Sequence, residues 1–168
     1  MQIRQATVPD ARRIAQIHVA SWRAAYRGQM PDAVLDSLDE QKRAVFWHTR
    51  LTRQPPETFV AELDEKIIGF CDLIPSRDQD ATAQTTAEIV AIYVHPDYWR
   101  RGAGRALCQH ALETARRQKI ASVTLWVLAS NVAARNFYQT MGFRPDGATK
   151  SESFANRELQ EVRFHIPV

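Results

Sequence analysis

Residues Ala87 to Cys108 constrain this chain more than any other stretch: a strand, a turn with two glycines and three arginines, then a helix. In Glu88-Ile-Val-Ala-Ile-Tyr-Val94 both alternating sets, Ile89/Ala91/Tyr93 and Val90/Ile92/Val94, are apolar. That pattern predicts a central strand buried on both faces. Pro96 ends it, because proline has no N–H for the ladder and biases His95 toward extended backbone. Trp99-Arg-Arg-Gly-Ala-Gly104 follows, and Leu107, Cys108, Ala111, Leu112 and Ala115 then recur at helical spacing. Such a turn is a place to put a phosphate. The first turn of a helix has unpartnered N–H groups and the positive end of the dipole. Gly102 and Gly104 lack a Cβ, and Arg100, Arg101 and Arg105 add charge and forked donors. A bare G-x-G also occurs in ordinary connections; the arginines around it favour the phosphate reading.

At 168 residues the chain reads as one domain over 1–168, large enough to bury a core without staples. Its 22 basic and 19 acidic residues are spread along the sequence, and no Lys/Arg run marks a nucleic-acid tract. No apolar run is long enough to span a membrane, and the polar N-terminus has no signal-peptide pattern. The expectation is a cytoplasmic protein with neither nucleic acid nor membrane as partner. Cys71 and Cys108 occupy a strand-like and a helical apolar position, which predicts buried free thiols and no metal pair.

The first strand is expected over Gln2 to Ala6. Thr7-Val-Pro-Asp10 is a capping-box start for a helix carrying Ile14, Ile17, His18, Ser21, Trp22 and Ala25 on one face. A second helix follows Pro31, and Gln41 to Arg53 reads as a third, ending before Pro55-Pro56. His18, Trp22, Tyr26, Trp47 and His48 are candidates for an acceptor pocket, although residues of this kind more often form core and rim. Asp36, Asp39 and Glu40 read as a solvated face. Strands Thr58 to Leu63 and Lys66 to Ile74 form a hairpin about Asp64-Glu65, and Pro75 to Thr86 reads as a mobile polar loop. Ser122 to Ala129 is a second strand apolar on both faces. Asn131 opens a helix running to Met141 with Gly142 as its C-cap, and Phe143 onward with Glu158 to Ile166 closes the sheet. One strand–helix–strand crossover among antiparallel-compatible hairpins gives an α/β (α+β) mixed, mostly antiparallel sheet with one parallel pair, flanked by helices.

A P-loop needs G-x-x-x-x-G-K-[ST], which is absent, and a dinucleotide fingerprint needs a third glycine where Leu107 stands. The stretch Glu88 to Phe143 resembles the GNAT superfamily of acetyl-CoA-dependent N-acetyltransferases. The family's Q/R-x-x-G-x-G/A pyrophosphate loop reads here Trp99-Arg-Arg-Gly102-Ala-Gly104, with Trp99 departing from the pattern. The later helix matches through Asn131, Phe137-Tyr138 and Gly142-Phe143.

The resemblance implies an N-acetyltransferase in which two parallel strands splay and the pantetheine arm of acetyl-CoA runs between them. It assigns to the cosubstrate Ile92, Tyr93 and Val94 of the strand, Trp99, Arg100, Arg101, Gly102, Ala103, Gly104 and Arg105 of the turn, and Asn131 and Tyr138 of the later helix. It implies Glu88 as general base and Tyr138 as general acid; on the residues alone, Glu88 reads instead as a hydrogen-bonded or ion-paired acid at a frayed strand start, and the alternative for Tyr138 is packing in the helix stripe. The implied acceptor is a small-molecule or peptide amine attacking directly in a ternary complex, with no metal, and a homodimer is compatible with it. The alternatives are a non-catalytic acyl-CoA-binding module on the same fold and a dinucleotide oxidoreductase.

Overall fold

The computed structural model describes residues 1–52, 57–154 and 157–168. Seven strands, β1 (Gln2–Gln5), β2 (Thr58–Leu63), β3 (Lys66–Pro75), β4 (Thr86–Val94), β5 (Ser122–Leu128), β6 (Arg144–Phe154) and β7 (Arg157–Pro167), form one sheet in the order β1-β2-β3-β4-β5-β7-β6. Every neighbouring pair is antiparallel except β4 and β5. Among the described residues five α-helices accompany it: α1 (Ala11–Ala25), α2 (Asp32–Asp36), α3 (Glu40–Leu51), α4 (Ala103–Arg117) and α5 (Val132–Thr140). The expected end of the third helix at Arg53, before Pro55-Pro56, lies outside the described residues.

Local chemistry accounts for the connections. Asp64 and Glu65 both take positive φ, 49° and 60°, as a two-residue hairpin turn with matching twist requires. Before α1, the Asp10 carboxylate accepts the Thr7 backbone N–H at 2.8 Å and also binds Arg4 at 2.8 Å. At the end of α5, Gly142 is left-handed (φ +96°) and the Phe143 N–H returns to the Tyr138 carbonyl at 3.0 Å.

Strand alternation sorts the core onto two faces. Val60 and Phe70 point toward Ile14, Ile17, Trp47 and Leu51 of α1 and α3. Phe59, Ala61, Cys71, Ile89 and Leu125 pack against Leu107, Cys108, Ala111 and Leu112 of α4, with Tyr138, Phe143 and Phe164 closing that side. Cys71 and Cys108 are buried free thiols, and burial pushes the Cys108 pKa up to about 12.

One expectation changes. The polar loop before β4 is tied down: Arg77 bonds Glu88, while Asp78 and Asp80 bind Arg163 of β7. Asp36, Asp39 and Glu40 are exposed, as a solvated face requires; Asp36 pairs with Arg27 at 3.0 Å and Asp39 caps α3 by accepting the Lys42 N–H at 2.9 Å.

Candidate active site

The site originates in an interrupted ladder. β4 and β5 pair only over Thr86↔Ser122, Ala87↔Val123 and Glu88↔Thr124, although both strands run on to Val94 and Leu128. On the other edge, the β3 register steps from Leu73↔Ile89 to Asp72↔Ala91, leaving Val90 as an extra residue. A bulge of this kind bends its strand and reverses which residues face each neighbour. Beyond it the His95 N–H bonds the Ile68 carbonyl of β3 at 2.8 Å, so alternation turns the backbone groups of Ile92 and Val94 toward the gap. The sequence predicts β4 buried on both faces; instead it is buried from Ala87 to Ile89 and half-buried from Val90 to Val94, beside the gap.

A cavity of about 1260 Å³ fills this gap. At one end lie Arg100, Gly102, Ala103, Gly104 and Arg105 at the start of α4. Arg100 and Gly102 both adopt positive φ, 64° and 85°. The first intrahelical bond runs from the Ala106 N–H to the Gly102 carbonyl at 3.0 Å, so the preceding amides open α4 without helical partners. A Cβ added at Gly102 would meet nothing within 4 Å, so its glycine serves conformation. At Gly104 the same Cβ would lie 3.7 Å from Phe137, on the wall the turn shares with α5. Free amides, a helix dipole and two arginines fit a pyrophosphate. Arg101 does not join them: its guanidinium stacks 5.3 Å from the Tyr98 ring and stays outside the cavity lining. Trp99 donates from its indole to the Val94 carbonyl at 2.6 Å, and Ser21 Oγ donates to the same oxygen at 2.9 Å.

Glu88 of β4 and Tyr138 of α5 both line the cavity. Glu88 is 2% exposed and sits inside the ladder, where it marks the last paired position and not a frayed start. Its carboxylate is held by Arg77, with Nη2 at 2.7 Å and Nε at 3.0 Å. Tyr138 packs edge-on against Phe137 and Phe143. Burial drives its phenol well above the ordinary tyrosine value, so the hydroxyl keeps its proton. Asn131 caps α5, its Oδ1 accepting the Ala134 N–H at 3.1 Å.

The acceptor candidates separate. Trp22 and Tyr26 line the cavity, the Tyr26 hydroxyl lying 3.4 Å from that of Tyr93. Tyr93 directs its ring to the α1 side, stacked 5.1 Å from His18. His18 and Trp47 are core, and His48 is exposed. Arg77, Trp126, Lys150, Glu152 and Glu161 also line the cavity and were not among the sequence candidates. The alternation of β7 is the signal that could have found the last of these.

The model of the Acetyltransferase (GNAT) family matches residues 12–143. The chain belongs to this family. Membership makes it an N-acetyltransferase, an acyl-transfer enzyme. An uncharacterized N-acetyltransferase of Bacillus subtilis, YuaI, is 33% identical over 168 residues, covering 98% of this chain and 92% of that protein. The [ribosomal protein bS18]-alanine N-acetyltransferase of Escherichia coli is 35% identical over 92 residues, 52% of this chain and 62% of that protein. Among solved structures, the PaiA N-acetyltransferase from Thermoplasma acidophilum, in complex with coenzyme A, superposes with a TM-score of 0.79. It is 19% identical and covers 99% of this chain and 98% of its own. The mixed sheet with its single parallel pair is this family's fold, and the non-catalytic alternative is not favoured. Among the described residues no helix is long and apolar enough to cross a membrane.

Proposed function

We propose that this GNAT enzyme transfers the acetyl group of acetyl-CoA to a primary amine by direct attack in a ternary complex. The observation that carries the reading is the single cavity, which joins the phosphate-type turn of α4 to Glu88 and Tyr138 through the gap between β4 and β5. Acetyl-CoA supplies the activated acyl group. Arg100, Arg105 and the first amides of α4 would hold its pyrophosphate. The backbone N–H groups of Ile92 and Val94 would pair with the pantetheine arm, and the one near Ile92 would face the thioester oxygen as a fixed donor. Because the Val94 carbonyl already accepts two hydrogen bonds, its N–H is the group left for the arm.

The acceptor amine enters beside Trp22, Tyr26 and Glu88. Glu88 is the proton acceptor in this reading, but Arg77 occupies both of its oxygens in the free protein. Arg77 is 64% exposed at its side chain, so the movement that frees the carboxylate is a swing into solvent. Tyr138 keeps its hydroxyl hydrogen at neutral pH and offers it to the departing sulfur. In a water-poor cleft a thiolate is poorly solvated, so that hydrogen matters more than it would in water.

Tyr138→Phe tests the assignment, because the ring packing stays and only the hydroxyl goes. Thiol release is followed over a panel of amines and Ala-initiated peptides. With the best acceptor, kcat should fall about 10- to 10³-fold with the KM for acetyl-CoA little changed. Wild-type turnover in the variant would return Tyr138 to packing. An absence of any coenzyme-A-induced rise in melting temperature would remove the cosubstrate assignment itself.

A further inference from the structure

Along the cavity the charges change sign. Arg100 and Arg105 stand at the α4 end, whereas Glu152, Glu161, Lys150 and Trp126 line the end over β5, β7 and β6. Register explains why they converge. Trp126 lies opposite Arg163, Leu128 opposite Glu161, and Glu161 opposite Lys150, and directly opposed residues share a face of the sheet. The Lys150 Nζ lies 4.5 Å from the centroid of the Trp126 ring, 3.1 Å from Glu161 Oε2 and 3.9 Å from Glu152 Oε1. An ammonium over an indole face between carboxylates is a cation-binding arrangement, filled here by the chain's own lysine.

The neighbouring cation differs. Arg163 lies 5.6 Å from the same ring, but it is locked by Asp78 at 3.1 Å, Asp80 at 2.7 Å and Asp146 at 2.7 Å, with 12% of its side chain exposed. It is a brace. Lys150 has one close partner, a side chain 36% exposed and a flexible stem, so it is the cation that can be exchanged. Around Trp126 five carboxylates, Asp78, Asp80, Asp146, Glu152 and Glu161, pair with these two cations, and Arg77 adds a third positive charge near Asp78. The surplus negative charge favours a positively charged guest over a neutral or anionic one.

We propose that Trp126, Glu152 and Glu161 form a subsite for a second positive charge on the acceptor, held by Lys150 in the free protein and yielded when the acceptor enters. The inference rests on the proposed entry of the reacting amine at this end of the cavity. The chemistry recognised is an ammonium or guanidinium remote from the reacting nitrogen, supplied by the far end of a diamine or by a basic side chain of a peptide.

The test compares matched acceptors that differ in that charge: cadaverine with pentylamine, and an Ala-Lys-initiated tetrapeptide with its Ala-Gln counterpart. Wild-type kcat/KM should favour the dicationic member of at least one pair by tenfold or more, and the preference should shrink with salt. Preference in the amine pair alone identifies a diamine, and in the peptide pair alone a basic side chain; either supports the subsite. Glu161→Gln, with the more exposed Glu152→Gln as a second variant, should narrow the ratio mainly through KM. Lys150→Gln should widen it, because the internal competitor is gone, whereas a purely structural ion pair would leave it unmoved. Equal use of both members of both pairs, or a ratio indifferent to all three substitutions, overturns the proposal. Calorimetric binding to the coenzyme-A-saturated protein separates the two readings. If no amine is acetylated, the transfer reading fails, and cadaverine or Ala-Lys peptide binding no tighter than its monocationic match overturns the subsite independently.

Discussion

Acidification should destabilise this protein through one buried histidine. His18 on α1 is 6% exposed, and its Nδ1 accepts the Trp47 indole N–H at 3.2 Å. Its ring lies 5.1 to 6.0 Å from those of Trp22, Trp47, Phe70 and Tyr93. Accepting at Nδ1 requires the neutral tautomer with its proton on Nε2, and Nε2 is buried without a partner. Burial, helped by the nearby positive Arg43, pulls its pKa from 6.5 down to about 3. Between those values the unfolded chain binds a proton that the folded chain refuses. The stabilisation is therefore complete above pH 6.5 and is lost as pH falls toward 3, at about 1.4 kcal/mol per pH unit. Two units below the unfolded value the loss from His18 alone is about 2.7 kcal/mol, a large share of the stability of an ordinary domain. Urea unfolding of wild type and His18→Gln at a series of pH values from 7 to 4.5 isolates this contribution, because carboxylate contributions are common to both. The wild-type curve should fall more steeply by about 1.4 kcal/mol per unit. Parallel curves would refute the reasoning. Should the variant fold poorly, the His18 ring protons in the wild type give the same answer: they should show no titration between pH 7 and 5.

Other perturbations follow from the same geometry. Glu88→Gln should lower kcat roughly 10²-fold with coenzyme A affinity nearly unchanged. Arg77→Ala, which removes the donor held at both Glu88 oxygens, should change kcat with coenzyme A affinity little altered; wild-type kcat in both variants would make Glu88 structural. Arg100→Ala should weaken coenzyme A about tenfold or more and flatten its salt dependence, while Arg101→Ala, already turned onto Tyr98, should do much less; isothermal titration decides. Gly69→Ala should cost about 1–3 kcal/mol in chemical denaturation, because its Cβ would lie 2.9 Å from the Tyr93 carbonyl and 3.2 Å from Leu107.

What the sequence could reveal follows the range of the interactions involved. Elements set by local chemistry were legible: the Asp64-Glu65 turn, Asn131 and Gly142 bounding α5, and the glycine turn opening α4. So was the mixed sheet, because one crossover among hairpins leaves few topologies. Long-range pairing was not. Arg77 meets Glu88 from a loop with no periodic pattern, and Arg163 gathers Asp78, Asp80 and Asp146 from two separate segments. Arg50 closes on the buried Asp72 at 3.1 Å, again across distant elements. Charges scattered along a chain carry no spacing signal until the fold brings them together. The aromatic candidates show the limit differently. His18 and Trp22 are one helical turn apart, yet His18 is buried against Trp47 while Trp22 reaches the cavity.

Trp99 also takes on a meaning that its place in the turn alone does not convey. An interior strand cannot leave its backbone polar groups unpartnered without cost, and β4 loses β5 as a neighbour after Glu88. The Val94 carbonyl, at the far end of that unpaired edge, receives the Trp99 indole N–H from the turn and the Ser21 hydroxyl from α1. Both donors fix the Val94 end of the strand, where β5 no longer pairs with it. Trp99 thereby supplies from its ring what a polar side chain at the same position could also supply, a donor fixed to the mouth of the cleft. The same contact ties the strand that would hold the pantetheine arm to the turn that would hold the pyrophosphate, so the two halves of the proposed cosubstrate site are set relative to each other by one residue.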